Sequence, residues 1–267
     1  MAVPIRTYSK ANPEKELLPQ QIKKTVEVEV PAMPIIEMQT EGYQKPELEE
    51  LPKAFFVIIS GGLVREKDYF KIISHQDNFQ RIKLEYISES NRLVNPIRLY
   101  ELAIYKKEIL ASSRNEDDEP DKIYLISDVD EFINELVKIK PLCIKEDFHL
   151  IISNPCFELW LYYASRVEVP DFHVPEQVSK ISWKFKGWAD TAIKGGVKSK
   201  RAIFNIYPNI ENAKNNYKED ENGIPSLFST NMFVLAQDLI PLIEPELSNM
   251  ITENKRIEAE FRERKKK

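Results

Sequence analysis

Cysteine, histidine and glycine are all scarce in this chain, and each shortage removes a class of protein. The two cysteines, Cys143 and Cys156, stand too far apart for a CxxC site and are too few for a disulfide framework. They are expected as buried free thiols in a reducing cytoplasm. The three histidines, His75, His149 and His173, are scattered and lack zinc-site spacing, so structural or surface roles are expected. Only seven glycines occur, two of them at Gly61-Gly62. No Lys-Ser/Thr of a P-loop follows that pair, which argues against a nucleotide-binding switch. No apolar run approaches the ~18 residues of a membrane span. The start, MAVPIRTYSK, has no signal-peptide core, so the expected location is cytoplasmic. A net charge of −5 argues against a wholly basic nucleic-acid binder while leaving room for a local patch.

With 267 residues, 42% hydrophobic and 30% charged, the chain has the length and composition of an ordinary protein with a proper core. Seven of its 17 prolines fall within residues 1–53, which are set apart as a proline-rich extension. Its alternating stretch Thr25–Val30, TVEVEV, suits an edge strand.

From Ala54 the pattern changes. AFFVIIS is a continuous apolar run of the kind buried on both faces of a sheet, and Gly61-Gly62 follows it as a tight turn. The stretch beginning REKDYFKIIS has helical spacing, KLEYIS (Lys83–Ser88) reads as a strand, and Asn95-Pro96 opens a helix. After the acidic loop Asn115–Asp121 come a strand to Asp128, a helix to about Lys140, a strand Phe148–Ser153 and a helix Asn154–Ala164. Strand and helix thus alternate four times between Ala54 and Ala164, which predicts an α/β fold with a mostly parallel sheet flanked by helices. In such folds ligands bind beyond the carboxyl ends of the strands, where Gly61-Gly62, Asp128, Asp130 and Asn154 fall.

Two acidic features invite chemistry. Asp128, Asp130 and Glu131 crowd the end of the central strand KIYLISDVDEF. A capping box explains Asp128 and Glu131 but leaves Asp130 over, whereas a hard divalent cation would use both aspartates. Glu158 is the only charged residue in NPCFELWLYYA. Either it meets the N–H groups of its own first helical turn, or it is a site carboxylate facing the aspartates.

Beyond Val167 the alternation stops, and residues 167–267 are expected to form a helical C-terminal region, with a helix from Asn231 running into a basic tail. Within it, Ser179–Arg201 holds seven basic residues against one acidic, with Trp183, Phe185 and Trp188 interleaved. Basic side chains neutralise phosphates and exposed aromatics stack on bases, so Lys184, Lys186, Lys198, Lys200 and Arg201 are candidate nucleic-acid contacts. The competing reading puts the aromatics in the core.

Three motifs, SGGLVREKDYF (Ser60–Phe70), SDVDEF (Ser127–Phe132) and SNPCFELWL (Ser153–Leu161), together resemble the RloB-like family of Toprim-related proteins over about Phe55 to Arg166. The resemblance implies a Toprim-like α/β domain at 54–166, in which acidic residues hold Mg²⁺ or Mn²⁺ for phosphodiester cleavage, in a bacterial restriction or phage-defence setting. Carried over by position, Asp128 and Asp130 are the metal pair, Glu158 a further metal and catalytic carboxylate, and Glu66 a catalytic glutamate. Two positions depart from the pattern: the glutamate of the family's EG dipeptide falls at Gly61, and its threonine at Arg65. The expected function is therefore a metal-dependent nuclease acting on DNA or RNA. The alternative is a catalytically impaired subunit that recognises nucleic acid or a partner ATPase. Whether the chain forms a homo-oligomer is left open.

Overall fold

A run of apolar residues becomes a central strand only if both its faces are covered, and the computed structural model, which describes residues 54–62, 64–74, 82–87, 94–112 and 122–264, shows how that is done. The extension with its Thr25–Val30 stretch, His75 and the acidic loop Asn115–Asp121 lie outside the described residues. Strands β1 (Ala54–Ser60), β2 (Ile82–Ile87), β3 (Lys122–Asp128) and β4 (His149–Asn154) form a parallel sheet in the order β2-β1-β3-β4. A two-residue strand, β5 (Ser229–Thr230), closes the β4 edge in antiparallel sense.

Alternate side chains divide between two cores. Phe56, Ile58, Tyr124, Ile126 and Ile151 face one side, where they meet Tyr69, Phe70 and Ile73 of helix α1 (Arg65–Ser74) and the helices of the C-terminal half. Val57, Ile59, Ile123 and Leu125 face the other side. There they meet Leu99 and Ala103 of α2 (Pro96–Ser112) and Ile139 and Cys143 of α3 (Ile133–Lys145). Helix α2 starts as expected: Pro96 occupies its first turn and Asn95 Oδ1 accepts the Arg98 N–H at 2.9 Å. Helix α3 does not stop near Lys140 but runs through Pro141 to Lys145, burying Cys143 one turn later.

The chain after Arg166 does not build a core of its own. Helices α5 (Ile181–Ala192), α6 (Ser199–Phe204), α7 (Ile206–Asn215) and α8 (Met232–Arg264) follow α4 (Glu158–Tyr163). They bury Phe185, Ala202, Ile206, Leu235 and Leu239 in the cluster that covers β1, β3 and β4, so segments from both sides of the expected division at 166/167 share one core. Helix α8 bears out the helix expected from Asn231. Among the described residues, no helix is long and apolar enough to cross a membrane.

Helix α4 is short and almost wholly buried, so its terminal carbonyls need partners from elsewhere. Asn212 Nδ2 donates to Tyr163 O and Asn205 Nδ2 to Ala164 O, both at 2.9 Å. On the sheet edge, Asn231 continues β5 with its side chain. Its Oδ1 accepts the Ile152 N–H at 2.6 Å and its Nδ2 donates to Leu150 O at 3.0 Å, so an amide side chain pairs β4 as a strand backbone would. Losing both bonds leaves two β4 backbone groups unpaired, at a cost of about 1–3 kcal/mol for a buried group and less for that of the partly buried Leu150. Asn231→Ala is therefore expected to lower the unfolding free energy by about 2 kcal/mol, read from the midpoint and slope of a urea titration.

Candidate active site

The carboxyl edge of the parallel sheet gathers three carboxylates from three segments. After β1, Ser60 Oγ accepts the Gly62 N–H at 3.0 Å and Tyr86 of β2 donates its hydroxyl to Gly62 O, which pins the turn before α1. Glu66 sits in the first turn of α1 with its carboxyl group directly over Gly62: a Cβ at position 62 would lie 1.9–2.2 Å from the Glu66 carboxyl atoms. Glycine at 62 thus leaves room for the Glu66 carboxyl group in this position, which a side chain at 62 would push aside. Asp128 ends β3, and its Oδ1 accepts the Phe157 N–H at 2.8 Å, at the start of α4. Glu158 is the first residue of α4 and is buried.

A lysine from the C-terminal half closes the group. Lys186 of α5 places its Nζ 3.5 Å from Asp128 Oδ2 and 3.8 Å from Glu158 Oε2. Ser182 Oγ, one turn earlier in α5, donates to Pro155 O at 2.9 Å and ties this helix to the segment leading into α4.

Burial and like charge dominate the electrostatics. Loss of water, with repulsion from Glu158 and partial relief from a backbone N–H bond and from Lys186, pushes Glu66 from 4.5 up to about 7. Burial, then Glu66, with Glu158 and Asp130 adding to it against the pull of Lys186, holds Asp128 well above the usual carboxylate range. Burial opposes charge on Lys186, yet Asp128 and Glu158 keep its ammonium above the usual lysine range. The neighbouring Cys156 thiol is pushed up by burial and by Asp128 and Glu158, so it is inert; both cysteines are free and buried, as expected.

The structure brings Glu66, Asp128 and Glu158 together and puts Asp130 beside them. Asp130 occupies the turn after β3 with φ of +36°, near enough for its charge to raise Asp128 but outside the contacts of Lys186. The capping-box reading of Asp128 and Glu131 does not hold: α3 begins at Ile133, and its N-cap, Phe132, makes no side-chain capping bond. Asp128 instead accepts an N–H of a different helix segment. Nor does Glu158 simply serve its own helix, since it faces Lys186.

The basic stretch Ser179–Arg201 separates into different roles. Phe185 is fully buried and Trp188 packs on Tyr162, Phe172 and Phe185, so two of its three aromatics are core. Arg201 is turned inward, donating to Lys194 O and Gly196 O at 3.3–3.4 Å across the loop before α6. Lys184, Lys198 and Lys200 are exposed, as is Trp183. Sequence reasoning grouped Lys186 with the surface lysines. Nothing in its spacing separated it from them, because its partners lie 28 and more residues away in the chain.

The two departures from the family pattern also have structural settings. Arg65 Nη1 donates to Val197 O at 3.2 Å and its guanidinium pairs with Asp190 at 3.6 Å, which fastens α1 to α5 and the loop before α6. A Cβ at Gly61 would stand 3.0 Å from the Val94 carbonyl oxygen, so a larger residue there displaces the approach to α2.

The donor set of carboxylate oxygens, which when ionised carries more negative charge than one ammonium offsets, has the chemistry that a hard divalent cation requires. Its spacing is not that of a formed metal centre: among the described residues, no group of three or more His, Cys, Asp or Glu side chains is arranged to hold an ion.

Fold and site define an α/β protein with a largely parallel sheet and a carboxylate cluster at its carboxyl edge. A family model described as RloB-like protein matches residues 56–239, well over half of the chain, and the chain belongs to the RloB-like family. The match runs past Arg166 into α8, so helix α5, which carries both Lys186 and Trp183, lies within the matched residues. No curated protein and no solved structure matches the chain.

Glu66 titrates higher folded than free, so its contribution to stability is fully present below pH 4.5 and is lost as pH rises through about 7. Glu66→Gln removes that loss. In the metal-free protein the variant should equal the parent near pH 5 and exceed it near pH 8, measured as urea midpoints. A pH-independent difference would show that the Glu66 carboxyl is not buried among like charges.

Proposed function

We propose that the chain is a metal-dependent nuclease that hydrolyses phosphodiester bonds of nucleic acid. The observation that carries this reading is the convergence of Glu66, Asp128 and Glu158 on one edge of the sheet, short of positive charge. When bound, Mg²⁺ or Mn²⁺ would stabilise charge on the scissile phosphate and lower the pKa of an attacking water. Asp128 and Glu158, with Asp130 beside them, are the residues that would hold it. Glu66, at about 7, suits a group that takes and returns a proton near neutral pH. Lys186 keeps a fixed positive charge at the site's mouth, where a phosphate would enter, and the exposed Lys184, Lys198 and Lys200 extend that charge along the surface. A role in bacterial anti-phage defence is part of the proposal and rests on the family resemblance alone.

One observation favours a second reading. Gly61 supplies no carboxylate and Lys186 already stands within 4 Å of two of the three present, as suits a binding or regulatory subunit, for nucleic acid or a partner ATPase, without catalysis. The two readings part on one assay: labelled DNA and RNA, single-stranded and duplex, with Mg²⁺ or Mn²⁺. For the enzyme, metal-dependent cleavage by the parent falls at least 100-fold in Asp128→Asn, which can still accept the Phe157 N–H. Binding without cleavage under every metal condition establishes the second reading.

Under both readings binding depends on salt, because neutralised phosphates release counterions. Replacing Lys184, Lys198 and Lys200 together with Gln is expected to reduce the slope of log K against log[salt] by about 2, at ~0.7 per single-strand phosphate contact. An unchanged slope removes these lysines from the interface.

A further inference from the structure

Helix α5 presents its buried face through Ser182, Phe185 and Ala189, which leaves Trp183, Lys184 and Gly187 on the outside. Two features of that outer face have no use in the fold. Trp183 is 73% exposed, the most exposed large hydrophobic residue described, while the other aromatics of the helix are packed. Gly187 sits in the helix interior, where glycine is among the least favourable residues, yet a Cβ at that position would meet nothing within 4 Å. Neither packing nor a turn calls for glycine there. Positions 183 and 187 are one turn apart on the same face, and 183 and 186 are likewise neighbours on the helix surface. An open aromatic ring, with bare backbone beside it, therefore adjoins the lysine that enters the carboxylate cluster. The surrounding charge is positive, from Lys180, Lys184 and Lys186. The one acidic side chain of the helix, Asp190, is engaged by Arg65 at 3.6 Å and by the Val197 N–H at 3.2 Å.

We propose that Trp183 and Gly187 form a base-stacking platform that seats an unpaired nucleotide of single-stranded nucleic acid beside the carboxylate cluster. This deepens the proposed function and rests on it for the identity of the substrate. Only an unstacked base offers a free face to the indole, so the platform selects single strands over duplex. Gly187 leaves the space that the sugar or base edge needs next to the ring, and Lys186 lies one helical step away to meet the adjoining phosphate. An aromatic contact of this kind tolerates any base, so no strong sequence preference is expected.

The test uses the full chain and fluorescein-labelled 15-nucleotide DNA and RNA, single-stranded and duplex, followed by anisotropy in EDTA so that cleavage does not intervene. The parent is expected to bind single strands more tightly than duplex. Trp183→Ala should weaken single-strand binding roughly tenfold with little effect on duplex, and Trp183→Phe should restore most of it. Gly187→Ala should raise the melting temperature through better helix propensity while weakening binding, a pairing that a purely structural glycine would not give. Equal affinity of the parent and Trp183→Ala for single strands overturns the platform and leaves the nuclease reading standing. A parent that binds no nucleic acid overturns the platform and the proposed substrate together, whereas self-association through Trp183, detected by sedimentation, overturns the platform alone. Binding that follows the expected pattern without metal-dependent cleavage supports the platform and removes the nuclease.

Discussion

Three carboxylates with too little positive charge among them are the constraint on which the site depends. Burial makes each charge costly and nearness makes each worsen the others, so Glu66 and Asp128 are held far from their ordinary titration. One ammonium, Lys186, and two backbone N–H groups, that of Phe157 to Asp128 and that of Glu66 to its own carboxylate, provide the compensation. An arrangement so poorly balanced is a poor way to stabilise a fold and a reasonable way to receive a cation or a phosphate.

The architecture explains how such crowding is sustained. The parallel sheet delivers Asp128 and the segment before Glu158 side by side, since Asp128 pairs in register with Ser153. Glycine at 62 lets α1 bring Glu66 down onto the same edge. The C-terminal helices then act as a second wall. Arg65 binds that wall to α1, Ser182 binds it to the segment before α4, and Asn205 and Asn212 close the far end of α4. The lysine and the exposed tryptophan ride on that wall, which places the only described neutralising side chain and the candidate binding face on one helix.

Much of this was open to a reader of the sequence. The four strand-helix alternations follow from hydrophobic period and turn residues, which are local properties. The anomalous carboxylates stood out because a charge at a strand end or in an apolar helix demands compensation wherever the chain goes. Asp128, Asp130 and Glu158 were therefore found as candidates, whereas Glu66 was named only through the resemblance to the RloB-like family. Their compensation within the chain was not found, and the capping box, one of the two readings of Asp128, failed because the turn through Asp130 carries the chain to Ile133 before a helix begins.

By itself the sequence determined the mostly parallel α/β class and the placing of Asp128 and Glu158 at the carboxyl edge of the sheet, because periodicity and the cost of an isolated charge act over a few residues. Only the tertiary structure decided which cation meets those acids, that Arg201 serves a loop while Lys186 pairs with Asp128 and Glu158, that Asn231 pairs an edge strand through its side chain, and that Phe185 is buried and Trp188 packed against the core while Trp183 is bare. Each of these depends on which groups from distant segments come within a few ångströms. Such distances are set by how helices pack across the sheet, and a lysine or tryptophan carries no local mark of where packing will put it.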